Sequence, residues 1–173
     1  MAKRSTTSAL VVHCSATPPS MDIGAAEIDR MHRARGFFKV GYHSVIRRSG
    51  VIEPGRDWDE IGAHAREGGY NRKSLGVCLV GGVSENPLKH VPGNPWNGSD
   101  AQDNFTREQY LSLFSFIKDV WNRYGYIPVI GHRDIPGVSK ACPSFSVKSK
   151  MKAMFPHEYP LVYPKGFPSR WEK

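Results

Sequence analysis

The run Leu75-Gly76-Val77-Cys78-Leu79-Val80 is apolar at every position, and this continuity constrains the fold more than any other feature. A surface helix would interrupt such a run with polar residues, and a half-exposed strand would alternate. Only a strand covered on both faces tolerates it, so residues 75–80 predict a central strand with layers above and below. Residues 8–14, rich in Val and Leu and stopped by a Ser/Thr/Pro cluster at 15–20, read as a second buried strand, and residues 127–131 as a third. Tyr42 to Arg48 and Val51 to Arg56 flank Ser49-Gly50 and predict a hairpin.

Helices fall between these strands. Thr106 with Gln109 forms a capping box, and the segment it opens carries Leu113, Phe114, Ile117, Val120, Trp121 and Tyr124 at helical spacing before Gly125. Asp22 is placed to cap a helix that runs to about Arg35, with Ile23, Ala26 or Glu27, Arg30 and Met31 as a fair amphipathic face; Gly36 ends it. Residues 146–155 read as a short basic helix. The stretch 81–104, rich in Gly, Pro, Asn and Ser, is a long loop, and long loops in compact domains tend to be functional or mobile. The proline-rich tail 156–173 is expected to be irregular, packed by Tyr159, Tyr163, Phe167 and Trp171. Strands alternating with helices define an α/β chain, a central mixed β-sheet flanked by helices. Its 173 residues suit a single domain spanning 1–173, with a core over about 8–155.

No stretch approaches the ~20 apolar residues of a membrane span, and the apolar run 9–12 is too brief for a signal-peptide core. The chain is therefore expected to stay where it is made, in the cytoplasm. Its formal net charge of +8 favours an anionic partner, such as a cell wall, a lipid surface or nucleic acid, without choosing among them. Nucleic acid is the weakest of these, since no recognised binding motif accompanies the charge. The cysteines, Cys14, Cys78 and Cys142, are odd in number and form no CxxC pair, which argues against a disulfide framework. Cys78 lies inside the apolar run and reads as core.

Chemistry concentrates where strands end. His13 and His132 each sit near the C-terminal end of a predicted strand, where open α/β sheets place their sites. Cys142 follows His132 within a short loop. Two imidazoles and a thiolate make a workable tetrahedral zinc set that leaves the fourth position for water. Cys14 adjoins His13, and strand neighbours point to opposite faces, so only one of the two can face a common site. Spacing does not say which. His32, His90 and His157 read as surface residues and His43 as structural. Glu53 and Glu60 are the nearest carboxylates that could serve as a general base. No paired carboxylates have glycosidase spacing, which argues against cleavage of a sugar chain.

The segments Val12-His13-Cys14-Ser15-Ala16-Thr17, Val40-Gly41-Tyr42-His43, Gly62-Ala63-His64-Ala65, Ser74-Leu75-Gly76-Val77-Cys78-Leu79-Val80-Gly81-Gly82 and Lys140-Ala141-Cys142-Pro143-Ser144-Phe145 carry a resemblance when taken in order. They resemble the zinc N-acetylmuramoyl-L-alanine amidases of the bacteriophage T7 lysozyme type, which are related to the peptidoglycan recognition proteins. The resemblance implies one zinc ion on His13, His132 and Cys142, catalytic roles for Tyr42 and Lys140, and a substrate contact for His64. It implies a phage endolysin, a monomer that cuts peptidoglycan in host lysis once a partner has permeabilised the membrane. It also implies a second role, binding and inhibiting a phage RNA polymerase. Two departures bear on cleft shape and substrate preference: the loop 84–103 is longer than the family pattern, and the His132-to-Cys142 spacing is wider.

Overall fold

The structure, a computed structural model, describes residues 2–85 and 100–163. Five strands form one sheet: β1 (Ala9–Cys14), β2 (Ser44–Ile46), β3 (Ile52–Pro54), β4 (Ser74–Leu79) and β5 (Val129–Gly131), in the order β3-β2-β4-β1-β5. β1 lies parallel between β4 and β5, β2 is parallel to β4, and only β3 is antiparallel to its neighbour. The apolar run does occupy the centre, and every residue of β1 and β4 is buried.

The register separates two faces. Val12 pairs with Val77 and His13 with Cys78, so alternate residues of the two strands share a face. On one face Leu10, Val12, Leu75, Val77, Leu79 and Ile46 pack against Leu113, Phe116, Ile117 and Val120 of α2 (Arg107–Tyr124). Its N-terminus is capped as expected, with the Thr106 hydroxyl accepting from the Gln109 amide at 3.1 Å. α3 (Val147–Met154) adds Val147 and Met151 to this layer, and Ser146 caps it. The opposite face, with Val45 and Cys78, is covered by Ile28 of α1 (Ala25–Ala34).

Several local expectations need correction. Asp22 does not cap α1: the helix starts after Gly24, whose amide donates to the Glu27 carboxylate at 2.9 Å. Glu53, reaching across from β3, accepts from the Ala25 amide at 2.6 Å and supplies the anion this N-terminus favours. Asp22 instead faces Arg47 at 3.4 Å. The buried face of α1 is Ile28 and His32, one turn apart, so Met31 lies outward and exposed. The hairpin strands are shorter than their sequence signals, closing through the Gly50 amide to the Arg47 carbonyl at 2.9 Å. The tail is not wholly irregular: Tyr159–Val162 forms a helical turn, α4, and the buried Tyr163 hydroxyl donates to the Val129 carbonyl of β5. Most of the long loop, with His90, lies outside the described residues, as do Phe167 and Trp171. Among the described residues no helix is long and apolar enough to cross a membrane.

Candidate metal centre

Parallel strands β1 and β5 deliver two histidines to the same end of the sheet. His13 is the penultimate residue of β1, and His132 is the first residue after β5. Gly131 makes the turn tight, its amide donating to the Asp134 carboxylate at 2.7 Å. A Cβ there would stand 2.9 Å from the Pro143 ring, so the loop could not close as it does over a larger residue. The Arg133 amide then donates to the Cys142 carbonyl at 2.7 Å and folds residues 133–142 back on themselves. The result is that donor atoms of His13, His132 and Cys142, all buried, lie within 4.8 Å of one another.

A second layer fixes these groups. His13 places Nδ1 3.7 Å from the Cys142 Sγ and Nε2 2.9 Å from Nδ1 of His64. The Cys14 amide donates to the Cys142 Sγ at 3.3 Å, while the Cys14 side chain points away, its sulfur 3.7 Å from the Ser144 hydroxyl. Thus of the two neighbours His13 faces the cluster. The ring of His64 fits only because β4 carries glycine beside it: a Cβ at Gly76 would stand 2.6 Å from the His64 ring.

The group suits a metal ion. Burial, then the positive neighbours His132, His64 and Lys140, hold the His13 imidazole neutral, far below its ordinary range. Burial followed by Lys140 does the same to His132, more mildly. Neutral rings keep the lone pair a metal needs. Burial pushes the Cys142 thiol well up, so a cation must be at hand for it to exist as thiolate. Among the described residues no fourth His, Cys or carboxylate joins the set. A buried His-His-Cys group of this kind can hold a metal ion and leave one position open.

Tyr42 and Lys140 flank the cluster differently. The Tyr42 ring lies 5.0 Å from that of His13 and is half-buried. Burial, then the surrounding thiols, push its phenol well above the ordinary range, so at neutral pH it is a donor. Lys140 is exposed, two residues before Cys142, and near enough for its charge to act on both histidines of the cluster. Neither Glu53 nor Glu60 is at the cluster. Glu53 caps α1, and Glu60 is buried between Lys39 at 2.7 Å and Arg56 at 3.0 Å. His43 is structural, accepting from the Gly76 amide at 2.9 Å, and Cys78 is core. His157 is exposed as expected, but His32 is not a surface residue. Its Nδ1 accepts from the Gly41 amide at 2.9 Å and its ring stacks on Phe37 and leans on Tyr42. Helical periodicity phased on Met31 does not point to it, because its burial comes from the segment around Phe37 and Tyr42.

Burial drives both His32 and His43 down to about 4. Unfolded, each binds a proton near pH 6.5, so between these values the unfolded chain holds more protons and stability falls as pH falls. The loss at pH 5 is about 2 kcal/mol per histidine, read as a lower urea midpoint than at pH 7.5. An unchanged midpoint would mean that neither ring is held neutral.

A family model described as N-acetylmuramoyl-L-alanine amidase matches residues 3–145. The chain belongs to that amidase family. The amidase is 42% identical over 146 residues to an endolysin of Klebsiella phage KP32, covering 84% of this chain and 86% of the relative. It is 40% identical over 146 residues to the endolysin of Escherichia phage T7, with the same coverages. Among solved structures, the endolysin N-acetylmuramoyl-L-alanine amidase LysCS from Clostridium intestinale superposes with a TM-score of 0.65 at 25% identity, covering 86% of this chain and 82% of that one. Drosophila peptidoglycan recognition protein LB shares the fold, with a TM-score of 0.65 at 20% identity over 90% of this chain and 85% of that one. The amidase is thus an N-acetylmuramoyl-L-alanine amidase acting as a phage endolysin, with peptidoglycan as its substrate.

Proposed function

We propose that the amidase works as a zinc enzyme, with His13, His132 and Cys142 as ligands and Tyr42 and Lys140 as the catalytic side chains. The observation that carries this reading is the convergence of two neutral imidazoles and a thiol, all buried, with no fourth protein donor among the described residues. Nitrogen and sulfur donors in a tetrahedral arrangement favour zinc over the hard cations, which prefer oxygen. Zinc bound there supplies a Lewis acid and, at neutral pH, an activated water for attack on the lactyl carbonyl that joins N-acetylmuramic acid to L-alanine.

The chain's own residues do the rest. His64 locks the His13 ring through Nε2 and so keeps Nδ1 turned to the cluster. The Cys14 amide does the same for the Cys142 sulfur. The protonated Tyr42 hydroxyl and the Lys140 ammonium are the donors on hand for charge growing on the carbonyl oxygen. Lys140, exposed beside the cluster, is also the group that can pass a proton to the departing amine. As its match to the family motif implies, His64 also contacts substrate.

Purified peptidoglycan incubated with the amidase should release stem peptides that begin with L-alanine, identified by mass. A strong chelator should stop their release, and added zinc should restore it. Release that persists in protein shown to be metal-free would overturn the zinc reading.

A further inference from the structure

The two proposed imidazole ligands differ in how their ring nitrogens are partnered. His13 has Nδ1 toward Cys142 and Nε2 committed to His64. Among the described residues the buried Nε2 of His132 has no hydrogen-bond partner, and Oε2 of Glu67 lies 3.7 Å from it. Leaving a buried ring nitrogen unpaired is costly, on the order of 1–3 kcal/mol, so its environment should supply an acceptor. Glu67 is the acceptor on hand. Its side chain is about one-third exposed, at 33%, and so can shift by a rotamer or bridge through one water to close the remaining gap.

Glu67 is also outside the group of donors that lie mutually within 4.8 Å, although its carboxylate is close to the His132 ring. It follows His64 by three residues, in a segment that turns sharply through Gly68 and Gly69, both at positive φ. One short stretch of chain therefore brings an outer partner to each imidazole: His64 to His13 and Glu67 to His132.

We propose that Glu67 is the positioning carboxylate of His132, accepting its Nε2–H and so presenting Nδ1 to the metal. This rests on the zinc reading above. A carboxylate behind a ligand histidine fixes its tautomer and ring orientation and raises its basicity, and losing such a partner typically weakens metal binding 10–100-fold. Glu67 is not a ligand and does not touch the substrate in this assignment; it acts through His132.

The test is zinc affinity, measured by competition with a chromophoric chelator at fixed pH, on wild-type, Glu67→Ala and Glu67→Gln proteins whose apo forms melt alike. Glu67→Ala should bind zinc about 10–100-fold more weakly. Glu67→Gln, which keeps an acceptor oxygen but not the charge, should fall between it and wild type. The cobalt-substituted protein should show a shifted ligand-field spectrum in Glu67→Ala, which a merely structural role for Glu67 would not produce. Wild-type affinity in Glu67→Ala would overturn the proposal. So would activity lost with affinity intact, which would put the carboxylate on the substrate instead. A wild-type protein that binds no zinc at all would be a different failure, that of the metal reading itself.

Discussion

Replacing Cys142 with serine should leave a folded protein that carries no zinc at micromolar metal and releases no stem peptides above background. The expected fall in activity is at least about 10³-fold, because several kcal/mol of Lewis-acid stabilisation disappears with the ion. The side chain is buried and the change only swaps sulfur for a smaller oxygen, so the cavity it leaves is slight and the fold should persist. A serine hydroxyl does not ionise under these conditions, and two imidazoles alone make a weak and incomplete set. The informative control is Cys14→Ser. Cys14 serves Cys142 through its backbone amide, which serine retains, while its own sulfur points to Ser144. That variant should keep its zinc and most of its activity. Zinc content by elemental analysis, with peptide release by mass, separates the two cysteines. Loss of zinc in Cys14→Ser and retention in Cys142→Ser would exchange their assignments.

This pair also marks what the sequence could and could not tell. Period-2 geometry shows that His13 and Cys14 face opposite ways, but only the register with β4 and the cover by α1 decide which of them meets the loop from β5. The same limit explains other differences. Continuous apolar runs and a capping box are local signals with one structural solution, so β1, β4 and α2 are found near their expected places. The start of α1 depends on Glu53, distant in sequence and brought up by the sheet, and no local pattern reports it. His32 is buried because the 37–42 segment folds over it, again a tertiary cause. Gly76 carries a signal of the second layer that the apolar run by itself does not reveal. A glycine inside an otherwise bulky central strand signals close approach by another group, and here that group is the His64 ring. Glu67, by contrast, sits in a polar stretch with no periodicity. Without the position of His132 it is one surface carboxylate among many.

The second large effect should come from the two donors, and it should differ from the first by sparing the metal. Tyr42→Phe and Lys140→Ala should each lower kcat by about 10²–10³-fold, the usual consequence of removing one aimed donor. Zinc content should be unchanged, since neither residue belongs to the donor set. The Tyr42 phenol is pushed so far up that it never ionises in the working range, so its removal costs a hydrogen bond and no charge. The alkaline limb of the rate profile should therefore stay where it was. Lys140 is different, because it is both a charge beside the cluster and a source of protons. Lys140→Arg distinguishes these. An arginine keeps the charge but holds its proton too tightly to deliver it to a leaving amine. Activity near wild type in Lys140→Arg assigns Lys140 to stabilising the oxyanion; a loss equal to Lys140→Ala assigns it to protonating the amine. Interactions made only in the transition state lower kcat and kcat/KM together, so a rise in KM alone would show either residue to be merely a binding contact. Full activity in Tyr42→Phe or Lys140→Ala would remove that side chain from the mechanism altogether.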